Sequence, residues 1–409
     1  MTEHEAALSL LSAAAVRERA NLMLQKSLDD ALPHFRIDLG RLEAAADLTL
    51  EVTRAAYPDL DIPFHSRWRH FVSDGADRWA AVAAGGWRDD AARGRSAFDL
   101  AIVSVLLDAG AGPTWRFRDP VSGQTVGRSE GLALASLAMF VSGAFSARPG
   151  DPLRADARAL EALDDETLLA GFQASEANPL AGIAGRADLL RRLGRTVAAA
   201  PKIFGTADEP RPGGLFDHLV ALADHRRIEA ATILRELLIH LGPIWPSRIT
   251  LGGVALGDCW HHPAIRRDDP TDQLVPFHKL SQWLAYSLIE PLEEAGIAVT
   301  NVDGLTGLAE YRNGGLFIDS GTLVFRDAAD AGRKHDVASP LVVEWRALTV
   351  ALLDRLAALF RKRLGRDAAS LPLGRILQGG TWSAGRVLAA KLRPDGGPPV
   401  AIVSDGTVF

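Results

Sequence analysis

"EAALSLLSAAAVRERANLMLQKSLDDAL", residues 5–32, places apolar side chains at helical spacing with arginines between them, and it contains neither glycine nor proline. The pattern predicts a long amphipathic helix, and it recurs along the chain. Residues 40–57 repeat it. "LALASLAMFVSGAF" (132–145) and segments of 151–250 such as "DARALEALDDETLLAGFQ" and "IEAATILRELLIHLG" read as helices between Pro/Gly turns. "LVPFHKLSQWLAYSLIEPLEEAG" (274–296) predicts a helix begun after Pro276 and kinked or broken at Pro291, where a backbone donor is missing. "LVVEWRALTVALLDRLAALFRKRLG" (341–365) predicts another long helix. Between these two lies "GLAEYRNGGLFIDSG" (307–321). Leu316 and Ile318 before "DSG" and Leu323 and Phe325 after it alternate as in a small β hairpin near 316–325. "FDLAIVSVLLDAGAG" (98–112) fits either a buried helix or a buried strand, and "TWRFRDPVSGQTVGRSEG" (114–131) suggests an irregular or hairpin segment. The expected fold class is mainly α.

At 409 residues the chain exceeds the roughly 250–300 at which single cores usually stop growing. The expectation is one compact helical unit over 1–409, divisible into two lobes of about 1–150 and 151–409. The 47% hydrophobic and 23% charged fractions fit a folded globular protein, and a net charge of −6 gives no footprint for nucleic acid, so the expected partner is a small molecule. A single cysteine, Cys259, excludes an internal disulfide, and the acidic start lacks a secretory signal, which points to the cytoplasm. No charge-free run of about 18 apolar residues predicts a membrane span. Oligomeric state is not legible.

Several motifs carry chemistry. "GRSEG" (127–131) matches the G-x-S-x-G elbow that would expose Ser129 as a nucleophile, but the buried strand that should precede it is missing. "CWHHP" gathers Cys259, His261 and His262, with His278 more distant; adjacent histidines rarely converge on one ion and zinc-type spacing is absent, so no metal is expected. Neither a Walker loop nor a strand-linked G-x-G-x-x-G occurs, and no cofactor is expected. Carboxylates beside arginines remain: Asp108, Arg128 with Glu130, Glu310 with Arg312, Asp319, and Glu344 with Arg346. Glu344 within "LVVEWRALTV" needs an ion pair or a task, because a lone buried acid is costly. Such acids suit cleavage at an anomeric carbon, where a carboxylate stabilises an oxocarbenium-like state. Arg128, Lys279, Arg312 and Arg346 are candidate phosphate ligands, and Trp283, Trp345 and Trp382 could wall a planar leaving group.

"SVLLDAGAG", "RSEGLALAS", "VPFHKLSQWLAYSLIEP", "LTGLAEYRNGGLFIDSG", "VVEWRALTV", "GTWSAGR" and the terminal "SDGTVF" stand in the order found in the uracil catabolism protein 4 family, which the chain resembles from about residue 10 onward. The resemblance implies a step of pyrimidine degradation: hydrolysis of a ribosylurea, or its 5-phosphate, to urea and the sugar. "FHKLSQWLAYSL", "LAEYR" and "VEWRA" are also similar to motifs of the queuosine salvage nucleoside hydrolases, which are helical and akin to DNA glycosylases. That likeness implies roles for Lys279, Glu310, Tyr311, Arg312 and Glu344, although "LAEYR" has glutamate where those proteins carry aspartate. The expected catalytic carboxylates are Glu310 with Asp319 or Glu344. The expected substrate ligands are Lys279, His278, Tyr311, Arg312, Arg346, Arg128, Glu130, Asp108 and Trp382. A binding subunit without turnover and a serine hydrolase using Ser129 are the alternatives.

Overall fold

The Pro340–Leu364 helix is buried without interruption from Leu341 to Leu353, as expected of a helix that is apolar on all sides. The helices Ala13–Leu28, Leu39–Ala56 and Tyr311–Asp319 pack against it. A second buried helix, Lys279–Glu294, packs on Asp90–Leu106, which makes the apolar run 98–106 a helix rather than a strand. In this computed structural model, which describes all residues except 109, 113, 206–208, 246–247 and 404–409, the fold is mainly α with short strand pairs. The terminal "SDGTVF" lies outside the described residues. No helix among those described is long and apolar enough to cross a membrane.

The opening stretch forms two helices, Glu3–Leu10 and Ala13–Leu28, not one. The break is at Ser12, whose extended backbone lets its hydroxyl accept from Ala15 N at 3.2 Å and so cap the second helix. Pro291, conversely, does not end its helix, which runs on to Glu294. The carbonyl that proline deprives of a donor is that of Ser287, and the indole Nε1 of Trp68 supplies one at 2.6 Å.

The hairpin expected near 316–325 is corrected. Leu316 and Ile318 lie in the Tyr311–Asp319 helix, and Leu323–Phe325 pairs antiparallel with the distant Phe35–Ile37. The two adjacent glycines explain the helix. A Cβ on Gly314 would lie 2.6 Å from the Trp345 ring, so glycine lets this helix seat on the Pro340–Leu364 helix. Gly321, at φ +77, then turns the chain into the strand. A hairpin does form where "TWRFRDPVSGQTVG" suggested one, pairing Phe117–Arg118 with Thr125–Val126.

Candidate functional site

Three helices begin at one cavity of about 470 Å³, Arg128–Val141, Lys279–Glu294 and Tyr311–Asp319, and a fourth, Trp382–Leu392, borders it as the unbroken continuation of the helical residues 373–381. Helix starts carry partial positive charge, so the convergence of three favours an anionic or polar ligand. The volume is in the range of small-molecule sites. The three starts put Arg128, Ser129 and Glu130, then Lys279 with Trp283 one turn on, then Tyr311 and Arg312 preceded by Glu310, into the wall, and the fourth helix adds Trp382 and Arg386.

Glu310 is the N-cap of its helix. Its two carboxylate oxygens accept from Arg312 N at 2.8 Å and Asn313 N at 2.6 Å, which fixes the group at the cavity wall with only 8% of the residue exposed. Burial pushes its pKa above 4.5, against the pull of those amides and of Lys279. Lys279, at the first position of its helix, is half-buried, and its ammonium has no hydrogen-bond or ion-pair partner among the described residues. Burial lowers its pKa, with Glu310 and Asp108 opposing. A cation and an anion thus face one void, each with capacity left for a ligand.

Arg128 is exposed at the rim with φ +56, and its helix has no side-chain cap, so its first amides are available to a ligand. Ser129 Oγ donates to Asp108 at 2.6 Å, and Asp108 pairs with the wholly buried Arg67 at 3.1 Å. Arg67 also donates to Ser104 Oγ at 2.7 Å and to His70 Nδ1 at 3.2 Å. Because a guanidinium only donates, His70 is left with its proton on Nε2. Burial, reinforced by Arg67, keeps His70 neutral, and burial lowers His65 to about 4. The two rings flank Trp283 at 5.7 and 6.4 Å, and His65 lies 6.1 Å from Trp382, so one wall is aromatic, with the Arg386 guanidinium stacked 4.8 Å from the Trp382 ring. No histidine hydrogen-bonds to Ser129 among the described residues, so the elbow motif lacks the histidine base of a serine hydrolase there, and its hydroxyl is held by Asp108.

Four expected site residues do not line the cavity. Glu344 is wholly buried in the core, where Oε1 accepts from Phe35 N at 2.7 Å and Oε2 lies 3.6 Å from His262 Nε2. Arg346 forms a bidentate pair with Asp258, at 2.8 Å on each side, and stacks on Phe277. Burial would raise Asp258, but Arg346 overrides it and holds the carboxyl at about 2. Asp258 also accepts from Lys279 N at 3.0 Å, so Arg346 acts on the cavity through the start of that helix. His278 is buried in the core, where its Nε2–H donates to Leu10 O at 2.9 Å. Asp319 pairs with Arg393 at 2.8 and 2.6 Å, and Arg393 in turn donates to Gly397 O at 2.6 Å. Asp319 therefore anchors the Asp395–Pro398 segment that closes one side of the cavity, a segment also held by Arg312 through Gly396 O at 2.8 Å. Cys259 is buried and its thiol pushed up to about 12, while His261 is exposed and His262 faces Glu344, so these three do not converge.

His70, Arg386 and Asp395–Pro398 are lining residues that sequence reasoning missed. A usable signal existed for His70, three residues after Arg67 in the same helical turn Arg67–Phe71. Gly385 marked Arg386's helix: a Cβ there would meet Arg312 O at 2.2 Å, so close approach to the Glu310 helix requires glycine.

A family model described as "Protein of unknown function (DUF1688)" matches residues 9–409. The chain is 39% identical over 415 residues to "Protein urg3" of Schizosaccharomyces pombe, covering 99% of both chains. It is 38% identical over 413 residues to "Uracil catabolism protein 4" of Lachancea kluyveri, covering 92% of both.

Proposed function

Because this chain belongs to the family of proteins of unknown function (DUF1688), and one of its similar proteins is named for uracil catabolism, we propose that it acts in uracil breakdown as an N-ribosyl hydrolase. The substrate is a ribosylurea, most simply its 5-phosphate, cleaved to urea and the sugar. The observation that carries this reading is the buried Glu310 carboxylate, fixed at a helix N-cap against a cavity that also holds the unpartnered Lys279.

In this reading the ionised Glu310 lies against the anomeric carbon and stabilises positive charge as the C–N bond lengthens. Lys279, Arg128 and the uncapped amides of the Arg128–Val141 helix hold the phosphate. Trp283, Trp382 and the two neutral histidines form an aromatic wall for the flat urea group. Asp319 and Arg346 support the wall, and Glu344 the core, without touching substrate.

The test is incubation of purified protein with ribosylurea 5-phosphate and an assay for urea. The reading predicts turnover, reduced about a hundredfold or more by Glu310→Gln. Full turnover in that variant would end the assignment of Glu310. A second reading, a binding protein without turnover, draws on the fact that both Glu310 oxygens already serve as helix caps. It predicts stoichiometric binding of the same compound and no urea.

A further inference from the structure

Away from the cavity, the helices Gly214–Leu222 and Ala230–His240 bring together His218, Glu236 and His240. Glu236 and His240 are one turn apart on a single helix face, and His218 reaches across from its neighbour. Glu236 Oε2 lies 2.7 Å from His218 Nε2 and 3.1 Å from His240 Nε2, and the three ligand atoms all fall within 4.8 Å of one another. We propose that this cluster is a divalent transition-metal site of the zinc class, with two imidazole nitrogens and one carboxylate oxygen as protein ligands.

The geometry and the charge argue for it independently. Bonds of about 2.0–2.2 Å from a central ion to nitrogen and oxygen put neighbouring ligand atoms about 3.3 Å apart in a tetrahedral site. The spacings to Oε2 are already close to that, so ligation requires little movement. The rings are pre-arranged edge to face, 5.4 Å apart at 87°, and Phe204 packs edge-on to His240. The side chains are 19%, 13% and 22% exposed, which leaves an approach for an ion and for water at the remaining position.

Charge supplies the second reason. Many buried carboxylates in this arginine-rich chain pair with a guanidinium, as Asp99 does with Arg211 and Asp156 with Arg154. Glu236 has no lysine or arginine partner among the described residues and faces two imidazoles instead. An unprotonated imidazole is the form that ligates a metal, and a divalent ion would neutralise the carboxylate. Imidazole donors favour zinc, cobalt or nickel over calcium or magnesium.

The consequence is a clamp between two helices. Ala230–His240 packs on Lys279–Glu294, whose first residue lines the cavity, so the clamp stabilises one support of that wall. Nothing in this inference depends on the hydrolase reading.

The test is equilibrium dialysis of the full chain against zinc chloride at neutral pH, with bound metal measured by elemental analysis and unfolding followed by circular dichroism. The expected result is about one zinc per chain and a raised unfolding midpoint. Both effects should be lost or weakened by at least about tenfold in Glu236→Gln and in His218→Ala, with weaker uptake at acid pH as protons compete for the imidazoles. Glu236→Gln keeps the side-chain shape, so its circular dichroism spectrum controls for folding. Absence of stoichiometric zinc in the wild-type chain would overturn the proposal. So would uptake that both folded variants retain, which would place the ion elsewhere.

Discussion

Glu310 and Glu344 are both buried carboxylates, each followed two residues later by an arginine, and their surroundings differ in kind. Glu344 sits in solid packing: one oxygen ties down the Phe35–Ile37 strand and the other faces a buried histidine. Glu310 sits at the junction of a helix start and a void, with a free ammonium opposite. Burial alone therefore does not mark a working acid. An acid placed against empty volume, with an unspent charge nearby, can act on a ligand, whereas one placed against protein can only hold the fold.

The sharpest way to break this contrast is to swap the consequences of mutation. Glu310→Gln is expected to lower kcat/KM by about a hundredfold or more while costing about 1 kcal/mol of stability, because the amide keeps one of two capping acceptors. Glu344→Ala is expected to do the reverse. It should destabilise the fold by about 2–4 kcal/mol, since it leaves the Phe35 N–H unpaired and a void behind, with kcat of the folded fraction nearly unchanged. Denaturant unfolding and urea-release kinetics on both variants check the pair.

Lys279→Met should raise KM for a phosphorylated substrate by about tenfold or more and leave an unphosphorylated one less affected, which separates a phosphate ligand from a structural lysine. The pH profile should be bell-shaped. Burial raises Glu310 above 4.5, so activity falls as pH drops through that raised value and the carboxylate gains a proton; Lys279 is lowered from 10.5, so activity falls again at alkaline pH, earlier than for an ordinary lysine. Glu310→Gln should flatten the acid limb only. The smallest expected effect is that of Asp319→Asn, which loosens Arg393 and the glycine segment and should lower activity only a few-fold, with a stability loss of about 1 kcal/mol.

Periodicity made most of the helices legible, because burying one face of a helix is a local property of its sequence. The break at Ser12 is local, but the other misreadings arose where a distant group decided the outcome. Pro291 stays helical because Trp68 serves the carbonyl it orphans, and 311–319 is helical because Gly314 admits Trp345. The site was half legible for the same reason. Glu310, Lys279, Tyr311, Arg312, Arg128, Glu130, Asp108 and Trp382 share the cavity, as motif chemistry and resemblance suggested. Arg346, Asp319 and Glu344 look equally functional in sequence, but their partners Asp258, Arg393 and Phe35 lie 88, 74 and 309 residues away. No local pattern announces such pairs.

The most direct test of the contrast is a crystal structure of the protein soaked with ribose 5-phosphate. The account predicts the sugar between Glu310 and the Trp283–Trp382 wall, its C1 about 3–3.5 Å from a Glu310 oxygen, with the phosphate on Lys279 and Arg128. A sugar bound elsewhere, or one turned so that its phosphate meets Glu310, would contradict it.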